Sequence, residues 1–358
     1  MQKNCCVVIP AYQPGELLVS YVAELRSAIG CTVIIVDDGS DKRCEPYFDA
    51  VAGMDGCVLL RHPQNAGKGA ALKTAFSWCR ENLPDVAGIV TADCDGQHSV
   101  KDVARVMQAV LENPGSLVLG CRSFGEGTPA RSLAGNRVSS KLMHYLYNIE
   151  LEDTQTGLRG IPRCLLEPLC TLRGERYEYE INMLILAKSR CVPFVILPIE
   201  TIYIDNNSGS HYRAFHDSVR VGVQLLRGLA QYGVSSVLSA AADVAVYAAL
   251  VKWFMHRLPL SVRLFWGAVI ARVLSSIVNY SLNRRLPYVQ THEVKRTAVR
   301  YYILWTIQLF CSFLGAWLLC TVLRLDELVS KLIIDLVLAA ASYQIQLRWV
   351  FAREEAGR

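Results

Sequence analysis

The chain has 358 residues, 52% of them hydrophobic and 19% charged, with a net charge of +5 at pH 7. It is too long for one typical domain, and its positive charge comes without a basic–aromatic recognition segment, which argues against nucleic acid as a partner and for phosphate and anionic lipid. The 13 cysteines are scattered with no Cys-x-x-Cys pair, which argues against a disulfide framework or a zinc site and fits a reducing compartment.

In chain order, the first 120 residues alternate short apolar runs with helix-like runs. Residues 5–9 read as a strand leading to a helix over about 16–29, and 32–36 as a second strand ending in Asp37-Asp38-Gly39-Ser40. A third strand, 58–60, precedes the loop Asn65-Ala66-Gly67-Lys68-Gly69 and a helix over about 69–80. Residues 87–90 run into Thr91-Ala92-Asp93-Cys94-Asp95-Gly96-Gln97-His98, and 117–119 into Gly120-Cys121-Arg122. This alternation predicts an α/β domain with a mostly parallel sheet covered by helices on both faces. Ligands of such sheets bind at the carboxyl edge, where these polar strand ends fall. No Gly-x-Gly-x-x-Gly follows the first strand and no Walker-type loop occurs, which argues against a dinucleotide oxidoreductase or an ordinary NTPase.

Three motifs admit a chemical and a plainer reading. Asp93-x-Asp95 at a strand end is a way to hold a hard divalent cation against a diphosphate, since Mg²⁺ takes one or two carboxylates and leaves its other positions to water and phosphate. The plainer alternative is two solvated aspartates capping the helix that starts near Val100. Lys68 and the helix start behind it suit phosphate, or form only a tight solvated turn. Asp37 and Asp38 suit a base N–H and ribose hydroxyls, with Gly39 letting backbone approach the ligand, although Asp-Gly is also a common turn.

Beyond about residue 231 the composition changes. Four strongly apolar stretches, at about 234–254, 265–282, 301–323 and 332–351, each approach the ~20 residues that cross a bilayer as a helix. The first apolar run is too short for a secretory signal, so the amino-terminal domain is expected in the cytoplasm. Four crossings place on one side the approach segment (Arg213, Arg220, Arg227), the middle loop (Arg284, Arg285, Lys295, Arg296, Arg300) and the tail (Arg348, Arg353). Their basic excess marks that side as cytoplasmic, although the first outer loop also carries His256, Arg257 and Arg263. Arg213, Arg220 and Arg227 recur every seven residues among Val223, Leu226 and Leu229, the pattern of an interfacial helix. Asp243 and Arg272 fall mid-span and Asp335 near the start of the fourth, and intramembrane charges default to functional readings or to pairing.

Taken together, Ile9-Pro10-Ala11-Tyr12, Val36-Asp37-Asp38-Gly39-Ser40, the Asn65–Gly69 loop and Asp93-Cys94-Asp95-Gly96-Gln97 resemble family 2 glycosyltransferases with the GT-A fold. The nearest resemblance is to dolichol-phosphate mannose synthases and bacterial polyprenyl-phosphate glycosyltransferases. Gly120-Cys121-Arg122, Arg131 with Asn136 and Ser139, Asp153-Thr154-Gln155-Thr156-Gly157-Leu158-Arg159, Arg176-Tyr177-Glu178-Tyr179-Glu180 and the stretches 200–203 and 206–213 extend the match over essentially 4–230. The membrane half resembles the GtrA-like four-span family, best at Asn279-Tyr280-Ser281-Leu282-Asn283-Arg284. The implied organisation is a GT-A domain over 1–212, an interfacial helix over 213–231 and a GtrA-like transmembrane domain over 232–358.

The resemblance implies inverting transfer of a sugar from a UDP- or GDP-sugar to a polyprenyl phosphate of the undecaprenyl or dolichyl type, at the cytoplasmic leaflet, feeding cell-envelope glycan. It implies a nucleotide-sugar site at Pro10, Ala11, Tyr12, Glu16, Asp37, Asp38, Lys68 and Asp93. Mg²⁺ or Mn²⁺ is expected at Asp93, Asp95 and Gln97, and the catalytic group is expected to comprise Asp95, Asp153, Arg122, Arg131 and Arg213. One departure stands out: Gln13-Pro14 replace the family's Asn-Glu after Pro-x-Tyr, with Glu16 two residues on. Membrane lipids are expected partners, and a homo-oligomer is compatible with the sequence. A processive polysaccharide synthase is the weaker alternative, because the Gln-x-x-Arg-Trp spacing fails at Gln344 and Gln346. The other alternative makes the membrane half a translocase of lipid-linked sugar that the transferase domain supplies.

Overall fold

A computed structural model describes residues 4–122, 130–200, 214–287, 289–291 and 293–353. The chain divides into two units, Met1–His144 with Ile149–Leu225, and Tyr145–Asn148 with Leu226–Arg358.

The first unit is built on seven strands, β1 (Asn4–Ala11), β2 (Val33–Asp37), β3 (Cys57–Arg61), β4 (Val86–Thr91), β5 (Leu117–Arg122), β6 (Arg159–Pro162) and β7 (Phe194–Ile199), in the order β3-β2-β1-β4-β6-β5-β7. All neighbouring pairs are parallel except those of β6. Val33, Ile34, Ile35 and Val36 are fully buried; such unbroken aliphatic runs suit strands covered on both faces, each large side chain contributing about 1.5–3 kcal/mol on burial. The sheet's helices are α1 (Leu17–Ile29), α2 (Glu45–Ala52), α3 (Lys68–Asn82), α4 (Val100–Glu112), α5 (Ala130–Tyr147), α6 (Arg163–Cys170) and α7 (Glu178–Ser189). The strands expected from the apolar runs are all present, while β6 and β7 lay outside that reading.

Register explains where the polar strand ends meet. Ala11 pairs with Asp37, and Val8 with Thr91, so the loops after β1, β2 and β4 leave the sheet at one edge. β6 runs the other way, pairing Arg159 with both Thr91 and Leu119. Its entrance, the turn from Asp153 to Leu158, therefore emerges at that same edge, beside Asp93 and Arg122.

The second unit is helical: it holds α8 (Ala214–Ala249) from Leu226 onward with a π-helical turn to Phe254, α9 (Leu260–Asn283), α10 (Val294–Val322) and α11 (Glu327–Ile345) with a π-helical turn to Val350. Among the described residues, two helices, Val219–Phe254 and Val294–Val322, are long and apolar enough to cross a membrane. α8 runs unbroken through 231–232, where the sequence suggested a junction between an interfacial helix and the first span. Asp243 and Arg272 do pair, at 3.7 Å, with the Ser275 hydroxyl donating to Asp243 at 2.9 Å. Asp335 accepts from Ser312 at 2.7 Å. Asn283, fully buried, donates to Asn279 Oδ1 (2.9 Å) and Gln346 Oε1 (3.0 Å) and accepts from Ser235. Tyr301 donates to the same Asn279 oxygen at 2.8 Å, so one satisfied polar network ties α8, α9, α10 and the end of α11.

Candidate functional site

Asp38 is the hub of the β2 end. Its carboxylate accepts from the backbone N–H groups of Ala66 (2.9 Å) and Gly67 (2.7 Å) and lies 2.8 Å from His62 Nδ1. His62 Nε2 in turn meets Thr74 Oγ1 at 2.9 Å. The anion held by the start of α3 is therefore the chain's own carboxylate, and the loop 65–69 is clamped in place. Gly67, at φ 105°, is required here: a Cβ would lie 2.3 Å from the Glu175 carbonyl oxygen. Asp37 accepts from the Ser40 N–H at 2.9 Å, closing the turn after β2.

The clamp aims Lys68 inward. Its Nζ lies 2.7 Å from Asp93 Oδ1 and 3.0 Å from Glu180 Oε1. Burial disfavours the ammonium, but Asp93 and Glu180 outweigh it and the net shift of Lys68 is upward. Burial likewise opposes the Asp93 carboxylate, yet Lys68 and His98 hold it well below the usual carboxylate range. His98 accepts the Asp93 N–H on Nδ1 (3.1 Å), and burial pushes its own pKa down. That fits a neutral ring with its proton on Nε2. From the other side, Gly157 brings backbone so close that a Cβ there would lie 2.4 Å from Asp93 Oδ2.

The turn before β6 is rigid. Asp153 is fully buried and accepts from Arg122 Nε (2.8 Å), Arg122 Nη2 (3.2 Å), the Arg122 N–H (3.3 Å) and the Gln155 N–H (3.1 Å). Such a bidentate pair fixes the guanidinium plane. Arg159, almost fully buried, donates to the carbonyls of Thr156 (2.9 Å), Glu180 (2.6 Å) and Thr154 (3.3 Å). Burial lowers its pKa, while Glu180 and Asp153 work the other way. Asn136 accepts the Thr154 N–H at 3.1 Å, and Thr154 donates to Ser139 at 2.9 Å, so the polar face of α5 holds the same turn.

Asp95 differs from its neighbour. It accepts from the Gln97 N–H at 3.1 Å, and among the described residues no cationic side chain pairs with it. Burial and the adjacent Asp93 charge push its pKa up to about 6. Neither aspartate caps α4; Ser99 does, accepting from the Asp102 N–H at 3.1 Å. A half-buried carboxylate with excess negative charge beside a second one fits a hard divalent cation. Tyr21 on α1 is close enough to Asp93 and Asp95 for their charges to raise its pKa further after burial has done most of the work. Its buried hydroxyl has no hydrogen-bond partner among the described residues.

Of the residues expected from sequence, the fold brings Lys68, Asp93, Asp95, Arg122 and Asp153 to one edge, with Gln97 beside Asp95. Pro10 and Ala11 are buried at the end of β1, and Tyr12 is half-buried. Glu16 is exposed at the start of α1 and makes no side-chain cap. Gln13 adopts φ 50° and donates its N–H to Ser40 Oγ at 2.9 Å. The Arg131 side chain and all of Arg213 lie outside the described residues. Glu180, His98 and Tyr21 were not singled out. Glu180 and His98 sit inside quoted motifs, whereas nothing near Tyr21 in sequence marks it.

Residues 6–166 match the family model for glycosyl transferase family 2, and residues 212–351 match that for the GtrA/DPMS transmembrane domain. The chain thus carries a family 2 glycosyltransferase domain followed by a GtrA/DPMS transmembrane domain. UDP-N-acetylglucosamine–dolichyl-phosphate N-acetylglucosaminyltransferase of Methanococcus voltae is 29% identical over 221 residues, covering 57% of this chain and 87% of its own length. Polyprenol monophosphomannose synthase of Mycolicibacterium smegmatis is 27% identical over 224 residues, covering 59% and 83%. Among solved structures, glucosyl-3-phosphoglycerate synthase of Mycobacterium tuberculosis aligns over 63% of this chain and 80% of its own, at 20% identity and a TM-score of 0.47.

Proposed function

We propose that the chain transfers a sugar, with inversion, from a UDP- or GDP-sugar to a polyprenyl phosphate at the cytoplasmic leaflet, for use in cell-envelope glycan. The two family matches and the activities named for the relatives support this reading. The observation that carries it is the carboxyl-edge arrangement of Asp93 on Lys68, Asp95 with no cationic side chain paired to it among the described residues, and Arg122 locked on Asp153.

Asp93, Asp95 and Gln97 would hold Mg²⁺ or Mn²⁺. When bound, such an ion offsets charge developing on a leaving diphosphate. The chain's own residues do the rest. Lys68, kept protonated by Asp93 and Glu180, fixes the Asp93 carboxylate against the Gly157 backbone. The acceptor needs no strong base, since a phosphate monoester is largely dianionic at neutral pH with a second pKa near ~6. Asp153 agrees with that: its two oxygens already take four donor contacts, three of them from Arg122, so it positions Arg122. Arg122 then presents positive charge at the edge where an acceptor phosphate would arrive, and Arg131 and Arg213 are proposed to join it.

In the membrane we propose four crossings, α8 to α11, with the transferase domain and the basic segment 284–300, which includes the first turns of α10, cytoplasmic. The Asp243–Arg272 pair with its Ser275 hydrogen bond supports a structural lock and an anchoring role. Asp95→Ala tests the reading directly. It should abolish transfer of labelled sugar from a nucleotide-sugar panel to undecaprenyl phosphate, and chelation should do the same to the wild type. The melting temperature should not fall, because the ionised carboxylate is disfavoured where it sits. Near-normal turnover in either case would sink the metal-dependent mechanism.

A further inference from the structure

The buried residues of α1 are Leu18, Tyr21, Val22 and Leu25, one inward stripe at helical spacing. Leu18, Val22 and Leu25 end in methyl groups and fill the core, whereas Tyr21 carries a polar tip into it. The residue is 7% exposed, and its hydroxyl has no hydrogen-bond partner among the described residues. Such a group is costly to leave unpaired, and phenylalanine would fill the same space without that cost. Most buried polar groups in a fold are satisfied, so an orphan beside a carboxylate pair points to a partner gained when the site is loaded.

The surroundings of the ring identify that partner. After burial, the charges that weigh most on the hydroxyl are those of Asp93 and Asp95, ahead of Glu24 one turn along the same helix. The polar tip therefore faces the loop after β4. Cys94, between the two aspartates, packs on the core cluster to which Tyr21 belongs. Asp93 is already engaged on both sides. Its Oδ1 holds Lys68 at 2.7 Å, and its Oδ2 lies 4.0 Å from His98 Nε2 and is hemmed in where a Cβ on Gly157 would come within 2.4 Å. Asp95 accepts the Gln97 N–H at 3.1 Å, and no side chain among the described residues donates to it. An ionised carboxylate has about four acceptor positions, so Asp95 can bind a cation and still take a further donor.

We propose that Tyr21 is a positioning residue for the divalent cation, its hydroxyl donating to the Asp95 carboxylate in the loaded enzyme and fixing which oxygen faces the metal. The inference rests on the metal reading of Asp93, Asp95 and Gln97 given above. Tyr21 and Asp95 are not hydrogen-bonded in the structure, so the contact requires a turn of the Asp95 carboxylate, which only the Gln97 N–H restrains. Ligating carboxylates are commonly oriented by such outer hydrogen bonds. The two aspartates are then held by different means. Lys68 neutralises Asp93 as it fixes it, whereas a phenol, neutral at pH 7 with an ordinary pKa near ~10, orients Asp95 and leaves its charge to the ion.

Mn²⁺ binding to the full-length protein in phosphatidylcholine nanodiscs, followed by the electron paramagnetic resonance of the free ion, tests the assignment. Titrations are run with UDP and with GDP in turn. Wild type should bind the ion and Asp95→Ala should not. Tyr21→Phe should weaken binding by about 10- to 100-fold, the usual effect of losing an outer-shell partner, while its melting temperature without metal stays at or above that of wild type. Its transfer rate should need correspondingly more Mn²⁺ and return to within a few-fold of wild type at saturation. Val22→Ala, on the same face of α1, controls for packing: it should lower the melting temperature and leave Mn²⁺ affinity unchanged. Equal affinity in Tyr21→Phe and wild type, or a like loss in Val22→Ala, would overturn the proposal and leave the metal site standing. Equal affinity in Asp95→Ala and wild type, or no binding by wild type with either nucleotide, would refute the metal reading itself, and the role of Tyr21 would fall with it.

Discussion

Gly157→Ala isolates the alignment of Asp93 from its charge. The added methyl would sit 2.4 Å from Asp93 Oδ2 and 2.9 Å from both Cγ and Oδ1. Rotating one oxygen away therefore does not relieve the clash. To reach ordinary contact near ~3.5 Å the whole carboxylate must retreat by about 1 Å, which breaks the 2.7 Å contact with Lys68. Gly157 is not among the residues with positive φ, so alanine adds no backbone strain, and the overpacking should cost about 1–3 kcal/mol. Turnover should suffer more, since a displacement of about 1 Å at a reacting site costs on the order of 100-fold. Initial rates of sugar transfer to polyprenyl phosphate in nanodiscs would be measured for Gly157→Ala, Asp93→Ala and the double variant, with melting temperatures alongside. If the effect passes through Asp93, the glycine change adds almost nothing once Asp93 is gone. Additive losses, or turnover within a few-fold of wild type in the single variant, would refute the reasoning.

Asp38→Ala strips the acceptor from the Ala66 and Gly67 N–H groups and from His62. It should cost at least about 3 kcal/mol, seen as a lower melting temperature and weaker nucleotide binding; unchanged stability would show that the clamp is not needed. Tyr21→Phe removes a buried hydroxyl that has no partner among the described residues, so unfolding by heat should be unchanged or later by the equivalent of about 1 kcal/mol. A clear loss of stability would reveal a partner. In a cysteine-depleted variant, Gln290→Cys should resist a membrane-impermeant thiol reagent in intact cells and react after lysis; labelling in intact cells would reverse the topology.

Strand periodicity and composition carried much of this protein's plan. Aliphatic runs such as 33–36 can be buried on both faces only inside a covered parallel sheet, so the α/β half could be read from local pattern. The apolar stretches after residue 231 announced helices because their length and lack of charge leave few other solutions. The Asp-x-Asp, Lys68 and Asp153–Arg159 motifs could be found in sequence but not their partnerships. Lys68 with Glu180, Arg122 with Asp153 and Asn283 with Gln346 join residues far apart in the chain, and only strand register and helix packing choose them. The direction of β6 is the clearest case. A short run of Arg159-Gly160-Ile161-Pro162 carries no periodic signal. Only because it pairs antiparallel to β4 and β5 does the Asp153 turn arrive beside Asp93. The role of Asp38 followed the same rule. Its sequence suited a sugar hydroxyl, but two backbone N–H groups and a histidine, delivered by the fold within 3 Å, claim the carboxylate first. Residue type sets what a side chain can bind, and tertiary structure decides which partner reaches it, because hydrogen bonds and ion pairs act only over the last few ångströms.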